Sequence, residues 1–200
     1  AQLCMKMPAI GGKDSMSGTF RDMHVPPTLV AFAVNSVDVT KVLSPEFKRA
    51  GSRVVLLRAK RDALNLPDFE QLANAWDRIH ELVQAGEVLS ACSVKAGGIA
   101  EAISKMAFGN DIGFTARTAG TPEKWFEFMP GSIILEMPES LNPDELLKGL
   151  DYEMLGVTTV NPVITIGDAS LSLKELKEAW EKPLEGIFPT RTTPREDKPV

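Results

Sequence analysis

Short runs of strand-forming apolar residues alternate along this chain with helical patterns that have one apolar face. Residues 54–57, written VVLL, follow Gly51 and are typical of a strand buried on both faces. Residues 67–86 then predict an amphipathic helix, with Pro67 before it and Gly86 after its last periodic residue. Its apolar stripe repeats at helical spacing and consists of Phe69, Leu72, Ala73, Trp76, Ile79 and Val83. This alternation predicts an α/β fold.

The rest of the chain continues the alternation. Further strands are predicted at residues 3–7, 28–39, 89–94, 132–137, 153–160 and 163–167. Further helices are predicted to begin at Ser44, Gly97-Gly98, Asn142 and Ser172, and Pro183 is expected to end the last one. Because the last two strands are consecutive, we expect helices packed on a mixed β-sheet rather than a purely parallel one.

Composition limits the classes of protein to which the chain can belong. It has 200 residues, of which 44% are hydrophobic and 24% charged, which excludes a disordered chain, a collagen and a coiled coil. Its net charge of −5 disfavours nucleic acid as a partner. No apolar run reaches the roughly 18–20 residues of a membrane helix, so we expect no membrane partner and a cytoplasmic location.

Residues that could carry metal or nucleophilic chemistry are few. Cys4 and Cys92 match no zinc spacing and no redox pair, so we expect reduced thiols. His24 and His80 are the only histidines and have no evident partner. Asp151 and Glu153 are interpreted as surface charge. We therefore assign no catalytic residue.

The segment at residues 11–17, GGKDSMS, holds the densest set of ligand-type groups. Glycines allow close approach of the backbone to a phosphate, Asp14 offers the hard oxygen that Mg²⁺ prefers, and Ser15 and Ser17 offer hydroxyl donors. It is not a Walker loop, because Met7 and Asp14 stand where that motif needs Gly and Ser or Thr. The alternative is a glycine turn followed by a solvated polar stretch.

A second glycine pair, Gly97-Gly98, stands at the predicted start of a helix. The free N–H groups and the dipole of a helix N-terminus favour an anion. The alternative is that these glycines let the helix and the preceding strand pack closely.

Several segments, in the same order, resemble the large, glutamine-dependent phosphoribosylformylglycinamidine synthases. The GGKDSMS run is similar to the GKDSMSM signature of that family. It is followed by family-like segments PPTLVAFAVNSVDV, VLSPEFKRAGSRVVLL, EAISKMAFGN and GSIILEM, and the similarity spans residues 5–188. The family belongs with AIR synthase-like enzymes, which pair an N-terminal with a C-terminal α/β domain.

The resemblance implies a domain organisation and a reaction. Residues 1–27 would be a remnant of an N-terminal-type domain, 28–188 a C-terminal-type domain, and 189–200 a linker toward an absent glutaminase domain. In the family, ATP phosphorylates the amide oxygen of formylglycinamide ribonucleotide, and ammonia from glutamine then displaces phosphate to give the amidine. Asp14 would be a Mg²⁺ ligand, with Ser15, Ser17, Gly97 and Gly98 near ATP or ADP. The isolated fragment is expected to be inactive.

The chain departs from the family before the second glycine pair. Many members have HDRSDGGL there, whereas residues 90–99 are SACSVKAGGI, so the histidine and both acids are missing. Any role of those acids is therefore in doubt, while an anion role of Gly97-Gly98 remains. Two alternatives stay open: a non-catalytic scaffold domain, and a stand-alone AIR-synthase-like ATP-dependent kinase.

Overall fold

The computed structural model describes residues 2–15 and 17–189; the predicted linker lies outside this part of the chain except for Pro189. The strands are β1 (Gly11–Ser15), β2 (Gly18–Phe20), β3 (Met23–Val25), β4 (Thr28–Phe32), β5 (Arg53–Leu57), β6 (Ser90–Ser93), β7 (Gly113–Ala116), β8 (Ile133–Met137), β9 (Tyr152–Thr159), β10 (Val163–Ile166) and β11 (Ala169–Ser172). The helices are α1 (Phe69–Ala85), α2 (Gly98–Phe108), α3 (Pro122–Phe126), α4 (Pro143–Leu146) and α5 (Leu173–Glu185), and a single 3-10 turn covers Val39–Lys41.

Seven strands form one mixed sheet in the order β11-β10-β7-β9-β5-β8-β6. β7 and β10 are parallel, and the other neighbours in this sheet are antiparallel. The predicted mixed α/β fold is thus confirmed. β9 and β10 are not paired with each other, although they are consecutive, because β7 lies between them.

The sheet is covered on both faces, as residues 54–57 predict. Val54 and Leu56 of β5 belong to one apolar cluster with α2 and Trp125. Val55 and Leu57, which alternate with them, belong to a second cluster with α1. β5 is therefore the central buried strand, and its side chains reach both layers of the core.

Helix α1 shows how the local sequence sets its limits. The side chain of Asp68 accepts a hydrogen bond from the backbone N–H of Gln71 at the N-terminus, and Gly86 adopts the left-handed conformation at the C-terminus. Both positions satisfy backbone groups that the end of a helix leaves free. The predicted limits, Pro67 and Gly86, are confirmed to within two residues.

The four N-terminal strands form two separate two-stranded ladders, here together called the arm (residues 11–15 and 17–32). β1 pairs with β4, and β2 pairs with β3. Both ladders have one common register, in which Gly11 faces Phe32 and Phe20 faces Met23. Every arm residue whose side chain is described is exposed. The strand predicted at residues 28–39 is thus shorter and pairs within the arm.

Residues 44–52 link the N-terminal part to the sheet without forming a helix, so the helix predicted at Ser44 is wrong. The backbone N–H of Phe47 donates to the carbonyl of Met106 at 2.8 Å, and those of Lys48 and Arg49 donate to the carboxylate of Glu136 at 2.8 and 3.0 Å. These distant acceptors satisfy the N–H groups that a helix would have paired locally.

Two smaller expectations also differ from the structure. Residues 3–7 form turns rather than a strand, with the N–H of Met7 bonded to the carbonyl of Gln2 at 3.0 Å. Pro183 lies inside α5 rather than ending it. It is in the last turn, where its missing N–H costs the helix one hydrogen bond to the preceding turn without ending it. Among the residues described, no helix is long and apolar enough to cross a membrane.

Candidate nucleotide and ligand sites

The GGKDSMS motif lies on the arm and not in a phosphate-binding loop between a strand and a helix. Gly11 to Ser15 form β1, where Asp14 is exposed opposite Leu29 of β4. The Nζ of Lys13 donates to the carbonyl oxygen of Asp14 at 2.8 Å, which leaves the carboxylate of Asp14 outside this contact. Asp14 thus presents a carboxylate to solvent near the end of β1.

The other groups of this motif follow the strand. Ser15 is the last residue of β1, and Ser17 is exposed just before β2. A Cβ at Gly12 would lie 2.9 Å from the carbonyl oxygen of Val30, so this glycine allows the two strands to approach closely. In the described residues, no three His, Cys, Asp or Glu side chains group as a metal site. Asp14 is the one carboxylate in this motif, and its oxygens are of the kind that Mg²⁺ prefers.

The Gly97-Gly98 pair begins α2, as predicted. Gly98 has a φ of +69°, and a Cβ there would lie 2.5 Å from the carbonyl oxygen of Trp125. The first turn of α2 thus packs against the backbone of α3 at a distance that only glycine permits. Gly98 thus permits close packing, but against α3 and not against the preceding strand, as the alternative had expected.

The N–H of Gly97 already has an anionic partner within the chain. It donates to Oε2 of Glu101 at 2.8 Å, and Oε1 of Glu101 accepts from Nζ of Lys105 at 2.6 Å. The Lys105 ammonium, and then the Gly97 N–H, hold the pKa of Glu101 below its usual value. The Gly97 N–H is therefore already bonded to the carboxylate of Glu101, and the Gly98 N–H donates to the carbonyl of Lys95 at 3.0 Å.

Gly97 also lines a pocket of about 550 Å³, here called the α2–α5 pocket. Its walls come from α2, the segment 119–126 with α3, strands β10 and β11, and α5. The lining residues are Gly97, Ala100, Glu101, Ile103, Ser104, Ala119, Gly120, Pro122, Trp125, Phe126, Ile164, Ile166, Ala169, Leu171 and Leu176. The predicted groups are thus divided, with Gly97 at this pocket and Asp14, Ser15 and Ser17 on the arm.

A cluster of charges joins β5, β9 and α3. The carboxylate of Glu153 accepts from Arg58 at 2.7 Å and from Lys124, and the three side chains are only about 27–28% exposed. Burial opposes ionisation of Glu153, but the two cations outweigh it and hold its pKa below the usual value. Glu153 is thus a partly exposed charge with two cationic partners, which its sequence neighbours could not show because both cations are distant in the sequence.

Glu136 is a fully buried carboxylate that the sequence analysis missed. Besides the two backbone N–H groups of residues 48 and 49, it accepts from Oγ of Ser90 at 2.8 Å. An acid inside the apolar run IILEM is the signal that would have drawn attention to it. Its partners are structural, since they fix the 44–52 segment to the sheet.

Comparison with curated proteins finds relatives among the subunits of one type of enzyme. No family model matches the chain. Phosphoribosylformylglycinamidine synthase subunit PurL of Thermoplasma volcanium is 25% identical over 209 residues, which cover 91% of this chain and 27% of that protein. PurL of Thermus thermophilus is 24% identical over 94% of this chain, and that of Sulfurimonas denitrificans 28% identical over 86%. The chain spans less than a third of the length of these relatives.

Solved structures support the same fold. The PurLQS structure from Thermotoga maritima matches with a TM-score of 0.58 at 16% identity, covering 86% of this chain and 33% of that chain. T. maritima PurL complexed with AMPPCP matches with a TM-score of 0.57 at 16% identity, covering 74% of this chain and 28% of that chain.

Fold and comparisons together define a mixed α/β domain whose fold matches part of the PurL structures. The particular proteins that it resembles are the PurL subunits of phosphoribosylformylglycinamidine synthase, and the resemblance stated from the sequence is confirmed.

Proposed function

We propose that this chain is part of an ATP-dependent phosphoribosylformylglycinamidine synthase. The observation that supports this most directly is the GGKDSMS signature on an exposed strand, in a chain similar to PurL over nine-tenths of its length. The reaction would convert formylglycinamide ribonucleotide, glutamine and ATP into the amidine, ADP, phosphate and glutamate. It belongs to purine biosynthesis, and we propose a cytoplasmic location.

Within this proposal, the arm holds a magnesium-bound nucleotide. Asp14 would bind Mg²⁺, and Ser15 and Ser17 would face the phosphates of ATP or ADP. A bound magnesium ion would supply neutralisation of the phosphate charge. The exposed carboxylate of Asp14 fits this role, because Mg²⁺ commonly takes one or two protein carboxylates together with phosphate oxygens.

The proposed partners are the remaining domains of a PurL-type enzyme, including a glutaminase. At the tip of the arm, Phe20, Met23 and Val25 share one face, while Thr19 and His24 share the other and bond to each other at 3.1 Å. A ribbon with one apolar and one polar face is typical of a strand pair that is covered on one side. We propose that another domain covers the apolar face. The domain limits 1–27 and 28–188 stay a prediction, and they would separate β1 from β4, its pairing partner.

Titration calorimetry with Mg-ADP tests the nucleotide site. Asp14→Asn is compared with the wild type and with Asp22→Asn, which removes a carboxylate at the tip of the same arm. We expect at least about tenfold weaker binding for Asp14→Asn, and no change for Asp22→Asn, because only the first loses the metal ligand. Equal binding by all three proteins would contradict the proposed role of Asp14.

One observation favours a second candidate, the non-catalytic scaffold domain. The Gly97 N–H is occupied by Glu101, so one of the two predicted phosphate positions is filled from within the chain. Absence of any Mg-ADP binding to the wild type would support the scaffold. We expect the isolated chain to form no amidine; detection of that product would refute the view that it acts only as part of a longer enzyme.

A further inference from the structure

The α2–α5 pocket has the size of a small-molecule site. Its volume of about 550 Å³ lies within the range of roughly 300–1,000 Å³ that is usual for ligand pockets. Two strands, two helices and the 119–126 segment surround it, so it is a concavity rather than the flat face of one element. Its apolar walls include Ile103, Trp125, Ile166 and Leu171.

The polar side-chain atoms on its walls are already bonded to the protein. The hydroxyl of Ser104 donates to the carbonyl of Ala100 at 2.8 Å, and the indole N–H of Trp125 donates to the carbonyl of Ala119 at 2.5 Å. These side chains therefore have no hydrogen-bond donor to spare for a charged ligand group.

Glu101 is the one charged residue among those lining the pocket. Its two oxygens are held by the Gly97 N–H and by Lys105, so its negative charge stays at the pocket wall and is paired there. A phosphate in the pocket would meet the carboxylate of Glu101 before the ammonium of Lys105, because Glu101 lines the pocket and Lys105 does not, and like charges in such a site repel. The charge distribution thus disfavours anions, including the phosphates of a nucleotide.

We propose that the α2–α5 pocket binds an uncharged, mostly apolar small molecule, such as one with an aromatic ring or a branched aliphatic body. This site is separate from the nucleotide site proposed on the arm, and neither depends on the other. Glu101 sets its specificity by excluding anions, and the apolar walls supply affinity through burial of ligand surface.

A matched pair of dyes tests the proposal on the full chain. N-phenylnaphthylamine is uncharged, and anilinonaphthalene sulfonate has the same ring system with an added sulfonate. We expect the uncharged dye to bind at least about tenfold more tightly than the sulfonate. Equal affinities, or no binding of the uncharged dye, would overturn the proposal.

Two neighbouring substitutions locate the dye. Ala169 lines the pocket, whereas Ser170 lies next to it on β11 and bonds to Thr165 at 3.1 Å instead. Ala169→Trp should fill the pocket and weaken binding of the uncharged dye at least about tenfold, while Ser170→Trp should leave it unchanged. Unchanged binding by Ala169→Trp, or equal loss in both variants, would place the dye elsewhere, for instance on the apolar face of the arm, and refute the proposal.

A third variant tests the role of Glu101 without filling the pocket, and it keeps the test valid where Ala169→Trp fails to fold. Glu101→Gln removes the negative charge and leaves Lys105 in place. The preference for the uncharged dye should then fall by about tenfold, because the sulfonate no longer meets a carboxylate. An unaltered preference would show that Glu101 does not set the specificity.

Discussion

Replacing the buried carboxylate of Glu136 should destabilise the fold by loosening the segment at residues 44–52. This side chain is fully buried and accepts three hydrogen bonds, from the N–H groups of Lys48 and Arg49 and from Oγ of Ser90. Phe47, next to the two N–H donors, is itself fully buried. The carboxylate therefore fixes an irregular segment that carries a core side chain.

The magnitude follows from the number of bonds lost. A hydrogen bond to a charged group contributes roughly 1.5–3 kcal/mol. In Glu136→Gln the amide oxygen keeps the bonds at one oxygen position, but the amide NH₂ faces a donor at the other. We expect a loss of about 2–3 kcal/mol, which lowers Tm by roughly 5–10 °C for a chain of this size.

Glu136→Ala removes both acceptor oxygens and all three hydrogen bonds, but it also relieves the cost of burying a charge. We therefore expect about 3–4 kcal/mol, less than the sum of three bonds. Ser90→Ala removes one donor and should lose about 1–2 kcal/mol. Because both side chains belong to one network, the double variant should deviate from additivity by at least about 0.5 kcal/mol.

Urea unfolding of these variants, followed by tryptophan fluorescence, gives the free energies. Amide hydrogen exchange adds a local readout, since the amides of Lys48 and Arg49 should lose protection in Glu136→Gln. A Glu136→Gln protein within about 0.5 kcal/mol of the wild type, with both amides still protected, would refute the argument that this carboxylate anchors the segment.

Three further predictions follow from single contacts. Gly98→Ala should cost about 2–4 kcal/mol in urea unfolding, because of its positive φ and the carbonyl 2.5 Å from the added Cβ, whereas Gly186→Ala, with open space around it, should stay within about 0.5 kcal/mol. Hydrogen bonds from Lys48 and then Ser44 lower the pKa of Glu46 to about 2 from 4.5. The stabilisation by ionised Glu46 should therefore be complete above about pH 4.5 and lost as the pH falls to about 2. Over this interval, the difference in unfolding free energy between the wild type and Glu46→Gln should shrink. A difference that stays constant with pH would contradict this role of Glu46. Glu153→Gln should lower the free energy of unfolding by about 1–2 kcal/mol, because the two half-buried cations Arg58 and Lys124 lose their anionic partner. Salt should weaken this loss only in part, because the three side chains are largely shielded from solvent.

The elements that the sequence predicted well are those whose determinants are local. Residues 67–86 contain both the Asp68 cap and the left-handed Gly86, and residues 54–57 have the continuous apolar pattern of a strand with two covered faces. The segment at residues 44–52 was mispredicted because its N–H groups are satisfied by Met106 and Glu136, which are far away in sequence.

In the candidate site, too, some features could be predicted from the sequence and others could not. The position of Gly97-Gly98 at a helix N-terminus followed from the sequence alone. The carboxylate that occupies this N-terminus did not, although Glu101 stands one helical turn further on and can reach back to the first N–H. An acid at that spacing after a glycine pair is a sequence signal of an end that is already capped.

The shared register of the two arm ladders has a consequence for how a nucleotide would be held. The eight described pairs, five between β1 and β4 and three between β2 and β3, follow the same offset, and Asp14 is the fourth of the five residues of β1. A metal ion bound to Asp14 would be held by β1 and β4 alone. Its affinity would therefore depend on whether a neighbouring domain packs against the arm and fixes its position. Nucleotide binding and domain docking would then strengthen each other.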